Sequence, residues 1–395
     1  KAPDPDHQPP PKSNGHRARR PSASERVSKE QARLERHLST RGTPEQRHRS
    51  RQQSVMTTPT YQDFILKPFS KRSNTSALIQ IANTLIPYAL LWWLMLQAAA
   101  VSLWLTPPFL ILLSLFSLRS FSLMHDCGHG SLFETARLNR IFGFLLGVVN
   151  AIPQLSWSID HAYHHKTNGD WERYRGVADF LSLDEFQNLS RKEQRIYETT
   201  HHPLMAIPGG FYYLAIKPRL DLLIGLISPK NRMWGSREEL NDLCLSNFFS
   251  LIAVICLGWW IGFGLFLSLY SVVLCLTASS LIYVFYVQHI FENSYANPSQ
   301  GWSPIRGALE GSSLLVLPPL LQWFTANIGF HNIHHLNERI PNYNLEACHQ
   351  SNQHLLQNVP TLTLGTMLKC SKFLLWDPAK ASLAEIPPQH QLSTV

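Results

Sequence analysis

The chain has 395 residues and a formal net charge of +8, with 45% hydrophobic but only 16% charged residues. Soluble domains average about 25% charged residues, so this composition argues against an ordinary soluble enzyme. Its six cysteines (Cys127, Cys244, Cys256, Cys275, Cys348, Cys370) contain no CxxC pair, which argues against a built-in iron–sulfur centre, a zinc ribbon or a disulfide scaffold.

Residues 1–72 are rich in Arg, Pro, Ser and Gln and carry 16 basic against 7 acidic residues, so essentially all the excess charge lies there. Such a segment cannot bury enough apolar surface to fold and reads as a solvated, disordered arm. Adhesion to anionic lipid on the cytoplasmic leaflet is the sharper alternative. No aromatics interleave with the arginines, so nucleic-acid binding has no support. A short helix that comes and goes is expected around Ser24–Leu38. The first long apolar run starts too far along to be a signal peptide. A chain that begins at Lys1 is expected to lack its true N-terminus.

Two tracts of roughly 45 residues, Asn74–Leu118 and Leu243–Gln288, contain no Asp, Glu, Lys or Arg. A bilayer-spanning helix takes about 20 residues, so each tract holds two helices and a tight turn. The turns are expected near Pro107-Pro108, or slightly earlier, and near Gly258–Gly264. Trp92, Trp93, Trp259 and Trp260 suit positions at or near the membrane interface. Neither turn carries a cation, whereas the arm and Glu134–Asp242 are full of them. By the positive-inside rule the arm, the middle segment and the C-terminal segment are then all cytoplasmic. Four shorter apolar patches, Ile141–Ile152, Met205–Ile216, Leu222–Ile227 and Leu314–Ile328, read as interfacial or core helices of a cytoplasmic cap. The expected fold is an all-α integral membrane protein with two helical hairpins, four spans and that cap. Its expected parts are a tail over 1–72, a membrane domain over 73–375 and a second tail over 376–395.

Of the 18 histidines, His7, His16, His37 and His48 fall in the arm, and His201, His202, His349, His354 and His390 match no pattern. The rest cluster. His125 and His129 form HDCGH, His161, His164 and His165 form HAYHH, and His331, His334 and His335 form HNIHH, while His289 stands in VQHIFE. His125 follows the first hairpin and His289 ends the second, so all four groups reach one side of the membrane at the level where the helices emerge. Residues three and four apart share a helix face, so each box aims its imidazoles together. A lone HxxxH is a weak signal, because surface histidine pairs are common. Three boxes and a fourth histidine in this order make accident improbable. Eight or nine converging imidazoles exceed the three or four protein ligands of one zinc and suffice for two metals.

Imidazole suits Zn, Cu, Fe and Ni alike. No HExxH occurs, which removes the glutamate base of a zinc protease. A transporter would bury its polar ligands near the bilayer midplane, whereas these histidines sit at span ends.

The boxes, their order and their spacing around two hairpins resemble the integral-membrane fatty acid desaturases. The stretches LMHDCGHGSLF, VQHIFE, GWSPIRGALEGS and NIGFHNIHHLNERIPNYNL are most similar to the Δ12 (omega-6) acyl branch, and the resemblance covers roughly Tyr61 to Lys372. It implies a non-haem di-iron centre. Its ligands would be His125, His129, His161, His164, His165, His331, His334 and His335, with His289 as a further one. No catalytic residue is implied beyond the metal centre. Asp126 is expected to orient an imidazole N–H, with Asp170, Asp179, Glu292 and Asn327 as weaker candidates for such support; each could equally be a surface or structural polar residue. The implied reaction removes two hydrogens from adjacent methylenes of a lipid-linked acyl chain, with O₂ as co-substrate. An alkane C–H has no usable acidity, so the cofactor carries that step, while the protein positions the chain. HHPLMAIPGG breaks up the haem signature of a fused cytochrome b5. The electrons are therefore expected from a separate ferredoxin or cytochrome b5, with Arg137, Arg140, Lys166 and Arg173 as a docking surface for an acidic partner. Three rival readings stand: a related hydroxylase or ketolase acting on an alkane, sterol or carotenoid; a non-catalytic metal transporter or sensor; and a membrane or nucleic-acid tether centred on the arm.

Overall fold

The computed structural model describes residues 59–176 and 179–387. The helix expected around Ser24–Leu38 lies outside the described residues, as does His390. The first apolar tract forms α1 (Asn74–Val101), whose first turn is capped by the Ser73 hydroxyl accepting from the Ser76 amide. Extended Ser102 ends it. A single 3₁₀ turn, Leu103–Leu105, leads into α2 (Pro107–Gly128). The proline pair therefore opens the second helix, where its missing N–H costs nothing, and the reversal comes just before it.

Helix α2 does not stop with the charge-free tract. It runs on through Arg119, His125 and Asp126, so the first histidine box begins inside its last turn instead of following it. Arg119 is only 2% exposed. Its Nε donates to Thr84 Oγ1 at 3.1 Å, its Nη1 to the Trp323 carbonyl, and its guanidinium lies 3.8 Å from the Trp323 ring centroid. A buried cation is thus held by dipoles and a π face, with no carboxylate as partner among the described residues.

Helices α3 (Ala136–Val149) and α4 (Gln154–Thr167) meet at a bend of 104°. Then come α5 (Leu183–Gln187) and α6 (Arg191–Thr200), each opened by a Ser…Glu capping box. Helix α7 (Ala206–Phe211) passes through a π turn at Tyr212–Ile216 into α8 (Lys217–Ile227). The second tract forms α9 (Arg237–Ile261) and α10 (Phe263–Val287), separated by Gly262 at φ +99°, a conformation that favours glycine. Trp259 and Trp260 are exposed beside that turn. Trp92, by contrast, packs inward against Phe266 and Tyr270, with ring centroids 6.1 and 6.4 Å away.

Helices α1, α2, α9 and α10 are long and apolar enough to cross a membrane, and α3 with α4 would add a fifth crossing only if the bent pair were one span. The architecture is that of a multi-pass, mostly helical membrane protein.

The C-terminal region contains α11 (Pro304–Leu309), α12 (Pro319–Phe324), α13 (His331–Leu336), α14 (Asn342–Ser351) and α15 (Leu364–Cys370). It also holds most of two small sheets. Strand β1 (Leu181–Ser182) runs parallel to β4 (Phe373–Asp377), which pairs antiparallel with β5 (Ser382–Glu385). Strands β2 (Leu314–Val316) and β3 (Thr361–Thr363) pair in parallel. The apolar patch Leu314–Ile328, expected to be one helix, is thus a strand and a short helix. Pro318 and Pro319 explain this, because a residue preceding proline avoids the α region.

Both segments assigned to tails by composition are partly packed. Phe64 joins a cluster with Ile333, Leu336, Leu345 and Cys348, and the Ile65 amide donates to Asn352 Oδ1 at 2.8 Å. Trp376 and Leu383 are buried at the other end. The unit that contains the four long helices and all nine box histidines begins at Pro59. Deleting residues 1–58 is accordingly expected to leave the thermal midpoint of the detergent-solubilised protein unchanged. Phe64→Ala should destabilise it by roughly 3 kcal/mol, the cost of emptying a buried aromatic site.

Candidate metal centre

Four elements deliver the nine box histidines. The last turn of α2 carries His125 and its cap His129, α4 carries His161, His164 and His165, and the turn after α10 carries His289. Positive φ at Ala326 and Asn327 turns the chain into α13, which carries His331, His334 and His335.

These side chains fall into two groups. Cluster A holds His125, His129, His161, His165 and His334, and cluster B holds His164, His289, His331 and His335. Within each, one nitrogen per ring lies within 4.8 Å of all the others. The i,i+4 spacing keeps two pairs together, but the second and third boxes, expected to aim all their imidazoles one way, are each split between the clusters. On α4 the i,i+4 pair His161/His165 serves A while His164 turns to B, and on α13 the pair His331/His335 serves B while His334 turns to A. Two helices therefore feed both clusters, and the stacked rings of His165 and His335, 4.1 Å apart, mark where the clusters meet.

The donor sets fit metal ions. Nε2–Nε2 separations are 3.1 Å for His161–His165, 3.0 Å for His164–His289, 2.9 Å for His289–His331 and 3.2 Å for His331–His335. Nitrogen ligands about 2.1 Å from one metal and at right angles lie roughly 3.0 Å apart. In cluster A, Nε2 of His125, His129 and His334 is buried with no hydrogen-bond partner. An unpaired buried polar atom costs about 1–3 kcal/mol, and a cation between these rings would satisfy all three. Burial pushes His331, His334 and His335 well below the usual imidazole range and His289 down to about 4. The rings are neutral at pH 7, the form that binds metal.

A cavity of about 300 Å³ reaches both clusters, touching His161 of A and His164 and His289 of B. Most of its remaining wall is apolar, including Phe121, Trp157, Leu281, Ile282 and Phe285.

A family model described as fatty acid desaturase matches residues 102–362, a stretch that contains all nine of these histidines. The chain belongs to the fatty acid desaturase family. A fatty acid desaturase of Bacillus subtilis (strain 168) is 37% identical to it over 314 residues, covering 78% of this chain and 85% of the relative. A temperature-sensitive sn-2 acyl-lipid omega-3 desaturase (ferredoxin), chloroplastic, of Arabidopsis thaliana is 27% identical over 269 residues, 64% of this chain and 60% of the relative. An endoplasmic reticulum omega-3 fatty acid desaturase of Vigna radiata var. radiata is 28% identical over 249 residues, 60% of this chain and 61% of the relative. The chain thus spans about three-fifths of these two plant relatives.

Behind the rings stands a second layer of polar groups. Asp126 Oδ1 lies 3.2 Å from His125 Nδ1, and its Oδ2 accepts from both the backbone N–H and the side-chain amide of Asn342 at 2.9 Å. Asn342 and Gln80 exchange reciprocal amide hydrogen bonds of 2.8 and 3.0 Å. His289 Nδ1–H donates to the Gly311 carbonyl at 2.8 Å, which leaves its Nε2 lone pair facing cluster B.

The weaker sequence candidates sit elsewhere. The Asp170 carboxylate is taken by Arg173 Nε at 2.5 Å, Ser299 Oγ at 2.8 Å and the Glu172 amide at 3.2 Å, so it ties two loops together instead of orienting an imidazole. Burial explains this choice, since a buried carboxylate takes the nearest donors. Glu292 and Asp179 are exposed, and the carboxylates paired with cluster histidines are those of Asp126 and Glu338 instead. Asn327 reaches the centre indirectly, its amide donating to the Asn342 carbonyl at 3.0 Å. Arg173 is engaged by Asp170, while Arg137, Arg140 and Lys166 are exposed.

Sequence reasoning missed Gln80, Asn342 and Glu338. Glu338 lies 3.4 Å from His129 Nδ1 and 3.8 Å from His165 Nδ1. Its signal was a carboxylate one turn beyond HNIHH.

Asp126→Ala is expected to lower metal affinity at least about tenfold, as loss of such outer partners commonly does. Elemental analysis after dialysis against a chelator checks this. His202→Ala, which alters an exposed ring outside both clusters, should retain the parent's metal content.

Proposed function

We propose that this desaturase inserts a cis double bond into a membrane lipid's acyl chain, with a Δ12 (omega-6) position on a monounsaturated chain as the favoured outcome. His125, His129, His161, His164, His165, His289, His331, His334 and His335 hold two iron ions. The observation that carries this reading is the pairing of two imidazole clusters with one apolar cavity that reaches both. A pair of irons bound there supplies the O₂-dependent oxidation that an acid or base cannot perform on an unactivated methylene.

The chain's own part is placement. An acyl chain has no polar feature at the reacting carbons, so its position has to be measured by the shape of an apolar wall. Phe121, Trp157, Leu281, Ile282 and Phe285 exclude water and hold the chain against His161, His164 and His289. Asp126 and the Gly311 carbonyl fix ring orientation from behind.

The distribution of cations supports a cytoplasmic location for the histidine centre and both chain ends. Electrons come from a separate ferredoxin or cytochrome b5 on that face. The name of the Arabidopsis relative includes ferredoxin, and the exposed Arg137, Arg140 and Lys166 suit an acidic partner.

Fatty-acid profiling in a host that supplies oleate and a ferredoxin tests the reading. New dienoic acids that disappear under anaerobic conditions, and in His164→Ala, are the expected outcome. Hydroxylated products would redirect the assignment to a hydroxylase. Unchanged lipids accompanied by metal flux would replace it with a transporter.

A further inference from the structure

The two clusters differ in what stands behind their imidazoles. In cluster A, Asp126 faces His125 Nδ1, and the single carboxylate of Glu338 lies 3.4 Å from His129 Nδ1 and 3.8 Å from His165 Nδ1. In cluster B the outer nitrogens contact no carboxylate among the described residues. His289 meets the Gly311 carbonyl, while Nδ1 of His164 and of His331 is buried without a partner.

Glu338 comes from the loop after α13, yet its partners belong to the first two histidine boxes. One side chain therefore links all three boxes from outside. It remains 42% exposed, whereas the two rings it meets are 4% and 5% exposed. This is the geometry of an anion at the rim with its charge directed inward.

A carboxylate on the outer side of an imidazole favours the tautomer with its N–H outward and Nε2 inward and raises the donor strength of the ring, and Glu338 acts so by its charge, at ion-pair distance from both rings. Two carboxylates also offset the charge of a divalent cation, whereas a backbone carbonyl offers only a dipole. We propose that cluster A is the tighter of the two metal sites and that Glu338 is the positioning residue responsible, by orienting His129 and His165 together. This rests on reading the clusters as metal sites.

The test is an anaerobic cobalt(II) titration of the metal-stripped, full-length protein in detergent, followed by absorption and by elemental analysis. Two uptake phases are expected in the parent. His164→Ala should retain the tighter phase and lose the weaker one. Glu338→Gln should weaken the tighter phase about tenfold, leave the weaker phase in place, and leave the melting of the metal-free protein unchanged. Glu338→Asp should recover part of the loss. The proposal is overturned if Glu338→Gln moves neither phase, if the parent binds both ions equally, or if His164→Ala removes the tighter phase. A Glu338→Gln loss that tracks a lowered metal-free melting temperature, with no recovery in Glu338→Asp, overturns the positioning role. A parent that takes up no cobalt overturns the metal reading itself, and this proposal with it.

Discussion

The contact on which the rest of the structure depends is the bond between Asp126 and Asn342. A carboxylate at the end of a membrane span carries a desolvation cost of several kcal/mol unless donors replace the lost water. Here the backbone and side-chain N–H groups of Asn342 supply two donors to one oxygen, and His125 sits against the other. The start of α14 is thereby fixed to the end of α2 across 216 residues of sequence. Helix α13 lies just before that anchor, so the last histidine box is held against the first.

Neighbouring contacts extend the same restraint in both directions. Gln80 brings α1 into register through Asn342, and Asn327 fixes the turn that launches α13. The close approach of Gly307 to Asn168 does similar work on the other flank: a Cβ there would stand 2.3 Å from the Asn168 carbonyl. The chain leaving α4 can therefore lie directly against α11. An imidazole centre assembled from four separate elements needs restraints of this kind, because displacements well under an ångström alter ligand geometry.

The spans and the histidines were legible in the sequence because each depends on a local, periodic signal. Charge-free tracts of about twice a bilayer's helix length mark hairpins, and spacings of three and four mark shared faces. How the histidines divide between two clusters was not legible. Sending His164 away from His161 and His165 requires the mutual rotation of α4 and α13, which no spacing within either helix contains. Gln80 and Asn342 were hidden for a related reason, since the two lie 262 residues apart and a single helical amide carries no distinctive pattern. The apolar residues Phe64 and Ile65 were masked by the averaged composition of the arm around them. The strands β2 and β3 were masked by their shortness, since three residues give too little alternation to distinguish a strand from a helix fragment.

Arg119 has a consequence for the order in which the protein is made. A cation near the middle of a span costs about 2.5–3.5 kcal/mol on insertion. The Trp323 carbonyl and ring that receive it lie 204 residues downstream. At about 5–20 residues per second, the nascent chain spends roughly 10–40 s with that partner still unsynthesised. During this interval Thr84, from the same hairpin, is already made. Insertion of α1 and α2 as a pair is therefore favoured over insertion one at a time, and the arrival of α12 completes a membrane segment begun much earlier. The wait for Trp323 is also the wait for the last three histidines, so the guanidinium settles at the same stage of synthesis that completes both clusters.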